Sequence, residues 1–381
     1  MSAAGYGDGT RVVAAGQPEP VAGQPFMPGP VFAAPYHLAS GGPGEGGADF
    51  YGRYDNPTLR GYEQALSQLD GGTALVLPSG MAALAAVLFT ALSAGDRVVV
   101  PSDGYYGTRA LAQEELRGFG VDVVEVPTPE IEAFATRGAL RGARLVIVET
   151  PSNPGLDLCD IEAVSAAAHR DGVLVAVDNT TATPLGQRPL DLGADLCIAS
   201  DTKALSGHSD LLLGHVTTRD DALAQRLRDW RTRSGVVPGP FEVWLAHRSL
   251  GTLDLRLARQ AANALAVAAA LAEHPAVQGL RHPWLPGDPA YALAGRQMLR
   301  PGGVLSFRLA DAEAVSRFLV HSRLAVAATS FGGLHTTVDR RAQWSAEQVP
   351  EGFVRVSCGC EDTADLVTDL SAAADSLLSG G

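Results

Sequence analysis

The sequence predicts an α/β protein: a large domain on a mainly parallel sheet with helices on both faces, followed by a smaller α+β domain. Three observations carry this. The chain has 381 residues, more than one hydrophobic core comfortably serves. Between residues 97 and 218, short continuous apolar runs alternate with helical segments, the order of a doubly wound fold. After residue 235 the pattern changes to a long helical run and then strand candidates flanking one helix.

Residues 1–50, rich in Gly, Pro and Ala without periodicity, read as an extended arm, ordered only if something holds it. Within it "GPGEGG" (Gly42 to Gly47) matches the GxGxxG pattern, but no strand precedes it and no apolar helix follows, so it is no dinucleotide site. The apolar runs are "RVVVPS" (97–102), "VDVVEV" (121–126), "RLVIVET" (144–150), "VLVAVDN" (173–179), "DLCIAS" (195–200) and "LLLGHVTT" (211–218). Continuous rather than alternating hydrophobicity means burial on both faces, as in a parallel sheet between helix layers. Helices are expected over 80–95 and 160–172, and one long helix over 244–274. Strands in "GGVLSFRLA" and "GFVRVSCGC", with a helix in "DAEAVSRFLVHS" between them, form the second domain. The expected division is an arm at 1–50, an α/β domain at 51–248 and an α+β domain at 249–381.

The formal net charge of −13 argues against nucleic acid or an anionic membrane as partner. Cys159, Cys197, Cys358 and Cys360 give neither a disulfide framework nor a zinc pattern, and Cys358 and Cys360 read as two small residues on one face of a strand. No secretory leader is legible, and no uncharged apolar run approaches the roughly 18 residues a membrane helix needs. The expectation is a soluble cytoplasmic protein that binds a small molecule and no metal.

Lys203 is the only lysine; the other 28 of the 29 Lys+Arg residues are arginine. A biased composition explains the arginines but not the exception. A guanidinium stays protonated and forms no Schiff base, whereas a desolvated lysine amine can attack a carbonyl. Three consecutive buried strands deliver Asn153, Asp178 and Lys203 to one edge of the sheet, where ligands of such folds bind. A carboxylate at the end of an apolar strand is costly without a cation. A pyridinium N–H is such a cation, and a Schiff-base lysine with an aspartate partner marks a pyridoxal phosphate site. Ser79, Gly80 and Met81 fall where a helix begins, offering free N–H groups to a phosphate, and Ser200 and Thr202 add hydroxyls. Ser79-Gly80 alone would be a plain helix cap and Asp178 alone a turn former; their joint placement around the sole lysine is what selects the cofactor reading.

With these motifs the chain resembles the cystathionine/methionine metabolism branch of the fold-type I pyridoxal-phosphate enzymes, the cystathionine γ-lyase and methionine γ-lyase type. The segments "NPT", "PSGMAA", "YYG", "ETPSNP", "VAVDNT", "SDTKALSGHSD" and "VRVSCGCED" occur in the family's order over residues 50–375. The resemblance implies that Lys203 holds the cofactor and then moves protons, Asp178 binds the pyridine nitrogen, and Asn153 contacts the cofactor's phenolic oxygen and the substrate. Gly80, Met81, Ser200 and Thr202 are then expected to grip the phosphate. Tyr51 and Arg53 are expected to reach it from a neighbouring subunit, in a tetramer of two dimers. By the same resemblance Tyr106 is expected to stack on the cofactor ring and act as acid/base, with Tyr105 the competitor for the role. Arg355 forks the substrate carboxylate, with Ser330 beside it. His208 and His215 match no family role and read as structural.

The activity this implies is carbon–sulfur γ-elimination on a sulfur amino acid. A γ-replacement transferase of the cystathionine γ-synthase kind uses the same residues, and a specialised lyase of secondary metabolism is a further alternative. The pocket departs from both lyase types: Thr329 stands where cystathionine lyases carry Glu, and Thr108 stands where methionine lyases often carry Cys. Arg231 and Thr232 replace a Lys-Asp pair of the methionine lyases, although Leu59 matches them. "SFGGLHTTVDRRAQW" (330–344) departs from better-known members where the substrate side chain should point.

Overall fold

The computed structural model describes residues 5–345 and 347–378. Seven strands form the large sheet: β1 (Thr73–Leu77), β2 (Arg97–Pro101), β3 (Asp122–Val126), β4 (Leu145–Glu149), β5 (Leu174–Asp178), β6 (Leu196–Ala199) and β7 (Gly214–Thr218), in the order β1-β7-β6-β5-β4-β2-β3. All neighbours pair in parallel except at β7, which runs antiparallel to both β1 and β6. Valine, leucine and isoleucine cover both faces, and helices Gly80–Ala91 and Asp221–Ser234 close one layer while Thr128–Thr136 and Ile161–Arg170 close the other. This is the architecture the continuous apolar runs predict. β1 lies outside the six predicted runs, because its apolar stretch continues into the residues read as a helix start.

The smaller sheet contains β8 (Gln278–Arg281), β9 (Val304–Arg308), β10 (Val326–Ala327), β11 (Thr337–Arg340) and β12 (Phe353–Ser357), in the order β10-β11-β12-β9-β8. It packs against helices Leu253–Leu271, Ala312–His321 and Thr363–Asp375 around Phe307, Phe318 and Leu366. Cys358 and Cys360 do not sit on a strand face as expected, since β12 ends at Ser357; Cys358 is buried in the core and Cys360 is half-buried past it. The expected long helix over 244–274 is two helices, Pro240–Leu250 and Leu253–Leu271. The break turns the Ser249 carbonyl toward Arg256, whose guanidinium also takes the carbonyls of Ala204 and Leu205.

Helix Pro57–Asp70 starts where Asn56 accepts the Thr58 N–H and Pro57 occupies the first turn, and it stops at Gly71 with φ 80°. The arm is not extended throughout: Asp8–Ala14 is helical, pinned by Asp8 to Arg188 and Arg300, with Val12 and Ala15 buried against the Pro57–Asp70 helix. Gly42 to Gly47 runs through a 3₁₀ turn, with no strand–helix unit around it. Among the described residues no helix is long and apolar enough to cross a membrane.

Candidate active site

The C-terminal ends of β4, β5 and β6 open into a cavity of about 470 Å³. Gly80, Met81, Tyr105, Tyr106, Asn153, Asp178, Ser200, Thr202, Lys203, Ser330 and Arg355 all line it. The cavity therefore brings together ten of the twelve residues assigned to the site, and Tyr105, the competitor for the Tyr106 role, lines it as well. Tyr51 and Arg53 are the exceptions: they do not line this chain's own cavity, and Arg53 instead lies over the Tyr51 and Tyr54 rings and donates to the Thr232 carbonyl.

At the floor, Ser79 caps helix Gly80–Ala91 by accepting the Ala82 N–H, which leaves the first turn of N–H groups directed at the cavity. Gly80 is required here because a Cβ would stand 2.6 Å from that of Ser200. Gly214 brings β7 against the same turn, where a Cβ would lie 2.5 Å from the Ser79 carbonyl oxygen.

Lys203 Nζ donates to Ser330 Oγ at 2.9 Å and lies 5.5 Å from the centre of the Phe331 ring. Burial, reinforced by the charges of Arg355 and Arg341 and opposed by Asp178, lowers its amine to about 8. Burial likewise raises Asp178, against hydrogen bonds from Thr180 and the charges of His215 and Lys203. Ser330 has φ 73°, unusual for a non-glycine residue. That conformation places its carbonyl on Arg355 Nη2 at 2.7 Å. Arg355, buried, also donates to Asn153 Oδ1 at 2.5 Å and to Asp339 Oδ2 at 3.1 Å, while its Nε–H has no partner among the described residues.

Several contributors escaped the sequence reading. Glu149, at the end of β4 and in register with Asp178, accepts the backbone N–H groups of Tyr105 and Asn153, each at 2.7 Å. Burial and then the Asp178 charge push its carboxyl up to about 8. Its signal was available: it is a strand-end carboxylate by the same rule that selected Asp178. Thr180 braces both Asp178 and the Ser200 N–H. In the divergent 330–344 segment, Asp339 takes Arg341 at 2.6 Å and Trp344 Nε1 at 3.1 Å as well as Arg355. Arg341 and Trp344 then form part of the cavity wall beside Thr329. The pairing of β11 with β12 brings Arg355 to this hub, a contact that adjacency in sequence cannot show. Leu59 and Arg231 do not reach the cavity; Arg231 is buried in an ion pair with Glu63.

The family model described as "Cys/Met metabolism PLP-dependent enzyme" matches residues 13–375. The chain belongs to this family. It is 50% identical over 380 residues to a Streptomyces coelicolor protein named "Putative cystathionine gamma-lyase", covering 98% of this chain and 95% of the relative. It is 40% identical to an L-methionine gamma-lyase of Pseudomonas deceptionensis, covering 87% and 86%. A crystal structure of a cystathione gamma lyase from Micromonospora echinospora superposes with TM-score 0.90 at 36% identity, covering 99% of this chain and 100% of that one. As a member of this pyridoxal-phosphate family, the chain is a pyridoxal-phosphate-dependent enzyme of the fold-type I class.

The residues present fit that cofactor. Asp178 makes no ion pair among the described residues, and a protonated pyridine nitrogen would supply the missing cation. The capped helix start with Ser200 and Thr202 suits a phosphate, and the lowered Lys203 amine suits a carbonyl.

Proposed function

We propose that this chain is a carbon–sulfur lyase that performs γ-elimination on a sulfur amino acid, which with one water yields a thiol, a 2-oxo acid and ammonia. The observation that carries the reading is the meeting, in one cavity, of a low-pKa lysine amine, a strand-end aspartate and a buried arginine. The lyase names borne by relatives at 50% and 40% identity support elimination.

When bound, the cofactor supplies an electron sink for charge developing at the substrate α-carbon. Lys203 would hold it, with Asp178 at its ring nitrogen, Asn153 at its phenolic oxygen, and Gly80, Met81, Ser200 and Thr202 at its phosphate. Arg355, steadied by Asp339 and the Ser330 carbonyl, binds the substrate carboxylate. The Lys203 amine, within hydrogen-bond reach of Ser330 Oγ, removes the α-proton and then moves a β-proton. Tyr106 gives its proton to the departing sulfur. Tyr105 is the poorer donor, because burial and then the Tyr106 hydroxyl push its own hydroxyl up to about 12. Tyr51 and Arg53, exposed away from this chain's cavity, serve the phosphate of a second copy in a tetramer of two dimers. The location is the cytoplasm.

The test is product analysis of the holoenzyme with L-methionine and with L-cystathionine. Release of thiol and 2-oxo acid in equal amounts is expected from one of the two. Consumption of a γ-activated amino acid only when a second thiol is supplied, with no 2-oxo acid, would assign γ-replacement instead.

A further inference from the structure

Beneath the turn that carries Lys203 lies a buried ionisable cluster that the proposed chemistry does not use. His215, on β7, is fully buried, with Nδ1 at 2.5 Å from Asp201 Oδ1 and Nε2 at 2.9 Å from Asp70 Oδ2. Asp201 stands between Ser200 and Thr202 and also accepts the Tyr62 hydroxyl at 3.0 Å. Asp70 also accepts the Thr217 hydroxyl at 2.6 Å. Tyr62 and Asp70 belong to helix Pro57–Asp70, so the cluster ties that helix, β7 and the lysine turn together.

The hydrogen-bond inventory decides the charge state. A neutral imidazole has one donor and one acceptor nitrogen, and its acceptor would face a carboxylate oxygen. The Asp70 oxygen that faces the ring already receives the Thr217 hydroxyl proton, and Asp201 receives the Tyr62 hydroxyl proton on its other oxygen, Oδ2. A doubly protonated ring donates to both. Burial alone would disfavour that cation, but Asp201 and Asp70 reverse the effect and raise the ring to about 10.

We infer that Asp70, His215 and Asp201 form a charged clamp that positions the Ser200–Lys203 turn, with His215 doubly protonated between the two carboxylates. On one side of the turn the clamp holds Asp201, whose carbonyl accepts the Ser206 N–H at 3.0 Å. On the other, Arg256 holds the carbonyls of Ala204 and Leu205. Between these anchors stand Thr202 and Lys203, with Ser200 immediately before Asp201. His215 is a positioning residue, and its role rests on the reading that Lys203 holds the cofactor.

The experiment titrates apo protein with pyridoxal phosphate, following visible absorbance, for wild type, His215→Gln and the double variant Asp201→Asn/His215→Gln, with apo melting temperatures alongside. His215→Gln sets an amide oxygen against a carboxylate and leaves two uncompensated negative charges. The expected result is about tenfold weaker cofactor binding, the lower end of what losing an outer partner costs a metal site. The double variant restores donor–acceptor matching and the original net charge of the cluster, and is expected to recover most of the affinity. Wild-type affinity in His215→Gln would overturn the clamp. So would a double variant that regains melting temperature without affinity. Nitrogen-15 NMR of wild-type protein with labelled histidine gives a check free of folding effects: both His215 ring nitrogens protonated at neutral pH supports the clamp, and a neutral tautomer overturns it. Loss of the visible band's dependence on Lys203 would instead strike the functional reading.

Discussion

Lys203 reacts as a free amine, so the pH at which it loses its proton governs how fast apo protein captures its cofactor. Burial, Arg355 and Arg341 together lower it from 10.5 to about 8. At pH 7 an amine at 10.5 is about 0.03% free base and one at 8 about 10%, a gain of roughly 300-fold in the reactive form. Rapid mixing of apo protein with pyridoxal phosphate, following the visible band, measures this directly. The capture rate is expected to rise about tenfold per pH unit below about 8 and to level off above it. Arg355→Gln removes the main cation acting on the amine and is expected to move the levelling point to higher pH. A rate that climbs steadily through pH 10 would refute the reasoning, as would an Arg355→Gln shift to lower pH.

Two further outcomes follow from the packing of the site. Asp339→Ala strips Arg355 and Arg341 of their shared carboxylate. With charged hydrogen bonds worth about 1.5–3 kcal/mol, KM for the sulfur amino acid should rise by roughly ten- to a hundredfold, while the cofactor band is retained; steady-state kinetics checks it. Gly80→Ala forces a Cβ to within 2.6 Å of the Ser200 Cβ. Overpacking of about 1–3 kcal/mol should weaken cofactor affinity by roughly five- to a hundredfold, read by absorbance titration.

The parallel sheet was legible because burial on both faces leaves continuous apolar runs, and the residue after each run then falls at the ligand edge. That one rule placed Asn153, Asp178 and Lys203 in the cavity before any contact was known. It also covered Glu149, which passed unnoticed because its partners are two backbone N–H groups rather than a charge. Asp339 and the Asp70–His215–Asp201 cluster were hidden for a different reason. Asp339 meets Arg355 only through the pairing of β11 with β12, and Asp70 lies 145 residues from His215, so these groups meet only once strands and helices pack. His215 read as structural because no local pattern announces a ring flanked by two carboxylates. The helix break at Gly251 and Thr252 was invisible in a run with unbroken helical periodicity, since a side chain 52 residues from its Ala204 partner stabilises it.

The most direct test of the central claim is the visible absorbance of purified protein with pyridoxal phosphate, wild type against Lys203→Ala. The account predicts a band in the wild type that Lys203→Ala lacks while still folding and binding the cofactor noncovalently. A band of equal strength in Lys203→Ala, or none in the wild type, would contradict it.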